Sequence, residues 1–164
     1  MLHSTVGPNA DMVARCRFVI RKGEIVGYYT GNGFANQIGI STQVPRVIDI
    51  VSNNTSSSPR EVEIGNRRFH VRKPIEEITG DNVYVLQMLD LLKDLDDFLD
   101  YGYEEAREKF ADYIHKYNPF FWAYSNVNHF IDEYQGLNNY GLYSSLEISD
   151  SLWEITASRR SSAL

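Results

Sequence analysis

Apolar and polar positions follow a period of two over the first half of the chain and a period near 3.6 over the second. From Arg15 to Arg21, the basic residues Arg15, Arg17 and Arg21 alternate with Cys16, Phe18 and Ile20, which predicts a strand with one basic face. Lys22-Gly-Glu24 turns the chain, and Ile25–Tyr29 returns as the partner strand. In the next stretch Gly31 and Gly33 open a tight turn. Phe34, Ala35 and Ile38 share one face of a short helix, and Gly39 suits its C-cap. Ser41-Thr-Gln-Val-Pro45 leaves in extended form, because a residue before proline is pushed out of the α region. Val47–Val51 is β-rich, and Ser52–Arg60 reads as a polar loop. Glu61–Ile64, a Gly65-Asn66 turn and Arg67–Lys73 make a second hairpin. On its second strand Phe69 and Val71 face one way, and Arg68, His70 and Arg72 the other. Pro74 ends it.

The pattern then turns helical. Asp81 or Asn82 can cap a helix running from Val83 to about Leu99. Its apolar stripe is Val85, Leu89, Leu92, Leu95 and Leu99, with Asp90, Asp94 and Asp97 on the solvent face. A second helix from about Glu104 to Tyr117 places Ala106, Phe110, Tyr113, Ile114 and Tyr117 toward the core, and Glu105 precedes Lys109 by one turn. Asn118 and Pro119 start a third, Phe120 to Tyr134, stopped by Gly136. Tyr140–Ile155 fits either a short strand or a short helix.

These elements predict an α+β fold: a small mixed or antiparallel sheet carrying one short helix over about 15–75, followed by a mostly helical C-terminal half. The expected organisation is a flexible tail at 1–14, a β-rich core at 15–80, a helical half packed on it at 81–157 and a frayed end at 158–164. With 164 residues and 43% hydrophobic content, one domain with a true core is expected.

Charge changes this picture. The net charge of −6 is unevenly spread: residues 1–73 hold ten Lys+Arg against five Asp+Glu, and residues 74–164 hold six against seventeen. A basic half and an acidic half suit two faces with different partners, or simply a solvated helical surface. No apolar run reaches the roughly 18 residues of a membrane span. The first residues lack the basic start and apolar core of a secretory signal. A single cysteine excludes an intrachain disulfide, so a cytoplasmic location is expected.

Gly27-Tyr28-Tyr-Thr-Gly31 followed by Gly39-Ile-Ser41-Thr42-Gln43-Val-Pro45 resembles the central motif of AbiEi-type antitoxins, the transcriptional regulators of type IV toxin–antitoxin systems of phage abortive infection. The likeness continues through Val47–Val51 and the Arg-rich strand near Arg67–Lys73, covering roughly Phe18 to Leu99. It implies a prokaryotic antitoxin-like domain that neutralises a nucleotidyltransferase-like toxin and assists regulation of its own operon. It implies no catalytic residue and no cofactor. Such proteins usually begin with a winged helix-turn-helix that binds operator DNA. About fifteen residues precede Phe18 here, so the expectation is a second domain, as a fragment or free-standing.

Candidate chemistry is sparse. His3, His70, His115 and His129 show no metal-ligand spacing, and no nucleophile elbow is present. Cys16, alternating with arginines, reads as a small buried strand residue rather than a nucleophile. The adjacent carboxylates Glu76-Glu77, Asp96-Asp97 and Glu104-Glu105 diverge on a helix and suit a hydrated surface. The Gly27/Gly31/Gly33 turn can cradle a phosphate, but Asn36 stands where the dinucleotide fingerprint needs its last glycine. Arg46, Arg60, Arg67, Arg68, Arg72 and Lys73 form the candidate binding face, for nucleic acid, for an acidic protein surface, or as ordinary surface. Phe121 and Trp122 lie off the stripe of the third helix, which suits a dimer or partner interface as well as a core. The functional expectation is an antitoxin-like domain without enzymatic activity or metal. The alternatives are a nucleotide- or nucleic-acid-processing enzyme domain and a non-enzymatic interaction or dimerisation module.

Overall fold

In a computed structural model of the chain, residues 8–56, 58–94, 97–100 and 102–117 are described. The third helix at Phe120–Tyr134, the segment Tyr140–Ile155, the C-terminal end, Phe121 and Trp122 lie outside the described residues.

The fold is α+β. Asn9 opens α1 (Ala10–Ala14), its side-chain oxygen accepting the Asp11 N–H at 3.0 Å. The helix widens into a π-helical turn, Arg15–Val19. This corrects two expectations, since neither a tail to residue 14 nor a strand from Arg15 is present. The reason lies in the buried pair Ala14 and Phe18. Four residues apart, they share a helical face, while Arg15, Cys16 and Arg17 point to solvent. Cys16 is therefore exposed rather than buried.

Strands β1 (Ile20–Arg21) and β2 (Glu24–Ile25) form a small hairpin. Its turn residues Lys22 and Gly23 both have positive φ, 52° and 83°, the geometry that matches strand twist. The main sheet holds β3 (Gly27–Thr30), β4 (Val47–Ser52), β5 (Arg60–Ile64) and β6 (Arg67–Arg72) in the order β3-β4-β6-β5. It is mixed: β4 and β6 are parallel, and β3–β4 and β5–β6 are antiparallel. The β5–β6 hairpin forms as expected, with Gly65 at φ 59° in its turn.

Both sheet faces are covered. On one, Ile50, Phe69 and Val71 pack against Ala14 and Phe18. On the other, Tyr28 and Val51 pack against α2 (Gly31–Ile38), α3 (Val83–Lys93) and α4 (Tyr103–Lys116). The sheet thus separates two cores, the larger shared with α2, α3 and α4 and the smaller with the N-terminal helical turn. Helix α3 is apolar almost all round, burying Val83, Val85, Leu86, Met88, Leu89, Leu91 and Leu92. It ends at Lys93, short of the expected Leu99. Asn82 precedes it but caps nothing in the helix; its amide instead accepts from the Thr79 N–H and donates to the Glu77 carbonyl. Asn53 likewise fastens the exit of β4 to the entry of α3 by pairing both its amide atoms with the backbone of Ile78, at 2.8 and 2.9 Å. In α4, Ala106, Phe110 and Tyr113 are buried as expected. Leu95 and the Ile114 side chain lie outside the described residues. The Tyr113 hydroxyl donates to Gln87 at 2.6 Å, and Gln87 donates to the Tyr29 carbonyl at 2.8 Å, a relay from α4 through α3 to β3. Burial holds the Tyr113 hydroxyl in its protonated, donating form well above the usual tyrosine range.

Candidate functional site

The Gly27–Pro45 stretch is the joint of the fold. A Cβ on Gly27 would lie 2.1 Å from the Phe18 carbonyl oxygen and 2.6 Å from that of Val51, so no other residue fits. The Ser52 hydroxyl donates to the same Phe18 oxygen at 2.6 Å. Tyr28 is buried in the larger core. Gly31, at φ 62°, turns the chain from β3 into α2, and its backbone lies against the Asp49 carboxylate. Gly39 caps α2 in the left-handed region at φ 84°. The Asn36 side chain then donates to the Ser41 carbonyl at 3.1 Å, folding the outgoing segment back along the helix.

That segment grips Asp100. The Asp100 carboxylate accepts from the Thr42 backbone N–H, from the Thr42 hydroxyl at 2.7 Å and from the Ser41 hydroxyl at 3.2 Å. Its own N–H donates to the Ile40 carbonyl at 3.3 Å. The Thr42 N–H and hydroxyl stabilise the ionised carboxylate most, so Asp100 is held below the ordinary aspartate value. Ser41 is buried, with its oxygen also accepting the Gln43 N–H at 3.2 Å. Gln43 is exposed and Pro45 half-buried. The hydroxyls of this motif therefore join the β-rich half to the segment before α4.

The candidate basic face does not assemble. Arg67 points to the α1 side of the sheet, where its Nε meets Asp11 at 3.3 Å. Arg68 points to the opposite side and lies 4.0 Å from Glu61, its diagonal neighbour on β5, where Glu63 stands directly opposite it. Arg72 reaches under α3 and pairs with both oxygens of Asp90. Asp90 is 3% exposed, which corrects its expected place on a solvent face; Asp94 and Asp97 are exposed as expected. It also accepts from the Thr30 hydroxyl at 2.5 Å. Arg46, Arg60 and Lys73 are exposed and make no ion pair among the described residues. Of the six candidates, Arg72 is committed beneath α3, Arg67 and Arg68 stay half-exposed in surface pairs, and Arg46, Arg60 and Lys73 are the most open to a partner.

Reasoning from sequence missed two groups. One is Asp90, and its signal was present: a helix apolar on every side leaves a central carboxylate no solvent face. The other is the pair His70 and Asp49. They stand opposite each other on β6 and β4, with His70 Nδ1 2.9 Å from the Asp49 carboxylate. Both side chains are 37% exposed. A carboxylate that orients one imidazole nitrogen leaves the other open for proton transfer. No spacing rule could find this pair, since a parallel crossover sets its register. Among the described residues no group of three or more His, Cys, Asp or Glu side chains has metal-binding geometry. No helix among them is long and apolar enough to cross a membrane.

The chain matches no protein-family model, no curated protein and no solved structure.

Proposed function

We propose that the chain is an antitoxin-like, non-enzymatic domain of the AbiEi type. In this reading it acts in the cytoplasm of a prokaryote, counters a nucleotidyltransferase-like toxin and assists control of its own operon. One observation carries the reading. The motif residues Gly27, Gly31, Gly39, Ser41 and Thr42 all act as joints of the fold: a close approach, a turn, a cap and the Asp100 clamp. A motif built for architecture suits a scaffold better than a catalyst. The ion pairs of Arg67, Arg68 and Arg72 support a division of labour in which operator DNA is bound by a separate winged-helix domain rather than by this sheet.

The test is growth rescue. The protein encoded beside this gene is expressed alone, then with this chain. Arrest relieved by the chain supports the reading. A harmless neighbour, or arrest that persists beside well-folded chain, sinks it.

A second reading, a nucleic-acid- or nucleotide-processing domain, is favoured by the His70–Asp49 pair. Hydrolysis or transfer lost in His70→Gln, in a protein of unchanged stability, would select it.

A further inference from the structure

A cleft of about 270 Å³ opens where α1, α2 and the Val44–Pro45 segment meet the sheet. Neither reading above uses it. Its surface is mainly apolar, from Val44, Pro45 and Ile48, and its polar groups come from four elements: Asp11 of α1, Tyr29 of β3, Asn36 and Gln37 of α2, and Arg67 of β6.

Gly33 is the telling position. It lies in α2 and lines the cleft. Its φ is not positive, and a Cβ there would meet only Pro45, at an ordinary 3.8 Å. Alanine would therefore fit here without strain or clash, although glycine in a helix costs up to about 1 kcal/mol relative to alanine. The space a methyl group would take is left open at the wall of the cleft.

The polar groups are of mixed character. Arg67 touches Asp11 through Nε, which leaves both terminal guanidinium nitrogens outside that bond. Asn36 donates its amide N–H to Ser41, which leaves its carbonyl oxygen as an acceptor. Burial and the neighbouring Asp11 push the Tyr29 hydroxyl up, so it remains a donor at neutral pH. A simple anion is disfavoured by the Asp11 carboxylate in the wall. An aliphatic ligand would cover these groups and leave them unpaired. A flat heteroaromatic ring with both donors and acceptors on its edge answers all of them, and amide, guanidinium and carboxylate side chains are the groups that read such edges.

We propose that this cleft binds a nucleobase, carried by a free nucleotide or displayed by a single strand. The site is independent of the antitoxin reading, and each can fail alone.

The test is an NMR titration of the full chain with the four ribonucleoside 5′-monophosphates, with ribose 5-phosphate and inorganic phosphate as controls. Saturable shifts are expected at Tyr29, Gly33, Asn36 and Gln37 with at least one nucleotide and with neither control. Gly33→Ala is expected to raise the melting temperature while weakening binding about tenfold or more, and Gln37→Ala to weaken binding with the melting temperature unchanged. A single-stranded oligonucleotide that binds about tenfold tighter than its mononucleotide marks a strand as the source of the base; equal affinities mark the free nucleotide. The proposal is overturned by the absence of saturation with every nucleotide and oligonucleotide at low-millimolar concentration, by shifts that ribose 5-phosphate reproduces, or by full affinity in both variants. If Gly33→Ala fails to fold, Gln37→Ala decides.

Discussion

Asp90 in the middle of α3 and Arg72 at the end of β6 form an ion pair beneath the helix, with the carboxylate 3% and the guanidinium 29% exposed. The same carboxylate accepts the Thr30 hydroxyl, so one side chain joins α3 to the ends of two strands. Removing one partner of a buried pair strands the other, at about 3–5 kcal/mol. Asp90→Ala is expected to cost about 3 kcal/mol in chemical denaturation. Replacing both partners by apolar residues, as in Asp90→Leu with Arg72→Met, should cost clearly less, because no charge is left buried. A loss below about 1 kcal/mol for Asp90→Ala would show that the pair is solvated.

The glycines of the joint should separate by mechanism. Gly27→Ala drives a methyl group into two backbone carbonyls and is expected to cost more than about 3 kcal/mol, or to abolish folding. Gly39→Ala meets only ordinary contacts with Lys109, so its cost is the left-handed backbone alone, about 1–2 kcal/mol. Equal losses at the two positions in urea denaturation would contradict this.

Asp100 gives a prediction in pH. Its folded value lies below 3.8, the ordinary aspartate value. The clamp therefore contributes stability that is fully present above that ordinary value and is lost as pH falls through the depressed one. A carboxyl-carbon NMR titration should find the Asp100 midpoint below 3.8, with the Thr42 amide shift moving in step. Thr42→Val removes the hydroxyl donor but keeps the N–H, and should move the midpoint part of the way back up. A midpoint at or above the ordinary value would falsify the clamp.

Charge reversals should also divide the arginines. Arg67→Glu breaks a half-exposed pair with Asp11 and places like charges together, and a loss on the order of 1 kcal/mol is expected. Arg46→Glu, Arg60→Glu and Lys73→Glu should leave stability within about 0.5 kcal/mol, since these side chains are exposed and unpaired among the described residues. If the antitoxin reading holds and the toxin meets this surface, growth rescue is lost in the second group while the proteins remain folded. Rescue that survives all three reversals removes the basic residues from the mechanism.

Much of the order along the chain was legible. The β5–β6 hairpin, the short helix α2 with Gly39 at its end, and the burial of Phe69, Val71, Phe110 and Tyr113 follow from local period and turn chemistry, which a few consecutive residues determine. The start of the chain misled for the same reason in reverse. Alternation over Arg15–Arg21 fits a strand, but the burial of Ala14 with Phe18 against Ile50 and Phe69 selects a helical turn, and those two partners lie far along the sequence.

Sequence alone therefore determined which segments are strands, helices and turns over most of the β-rich half, and that both α and β elements share one chain. Tertiary structure alone decided which charges meet. Arg67, Arg68 and Arg72 look equivalent in the sequence, yet the pleat sends Arg67 to one face and Arg68 and Arg72 to the other, and each finds a different carboxylate: Asp11, Glu61 and Asp90. Asp49 and His70 become neighbours only because β4 and β6 run parallel in adjacent positions. The physical reason is range. Period and turn preference act over a few residues, whereas ion pairs depend on the packing of distant elements around a shared core.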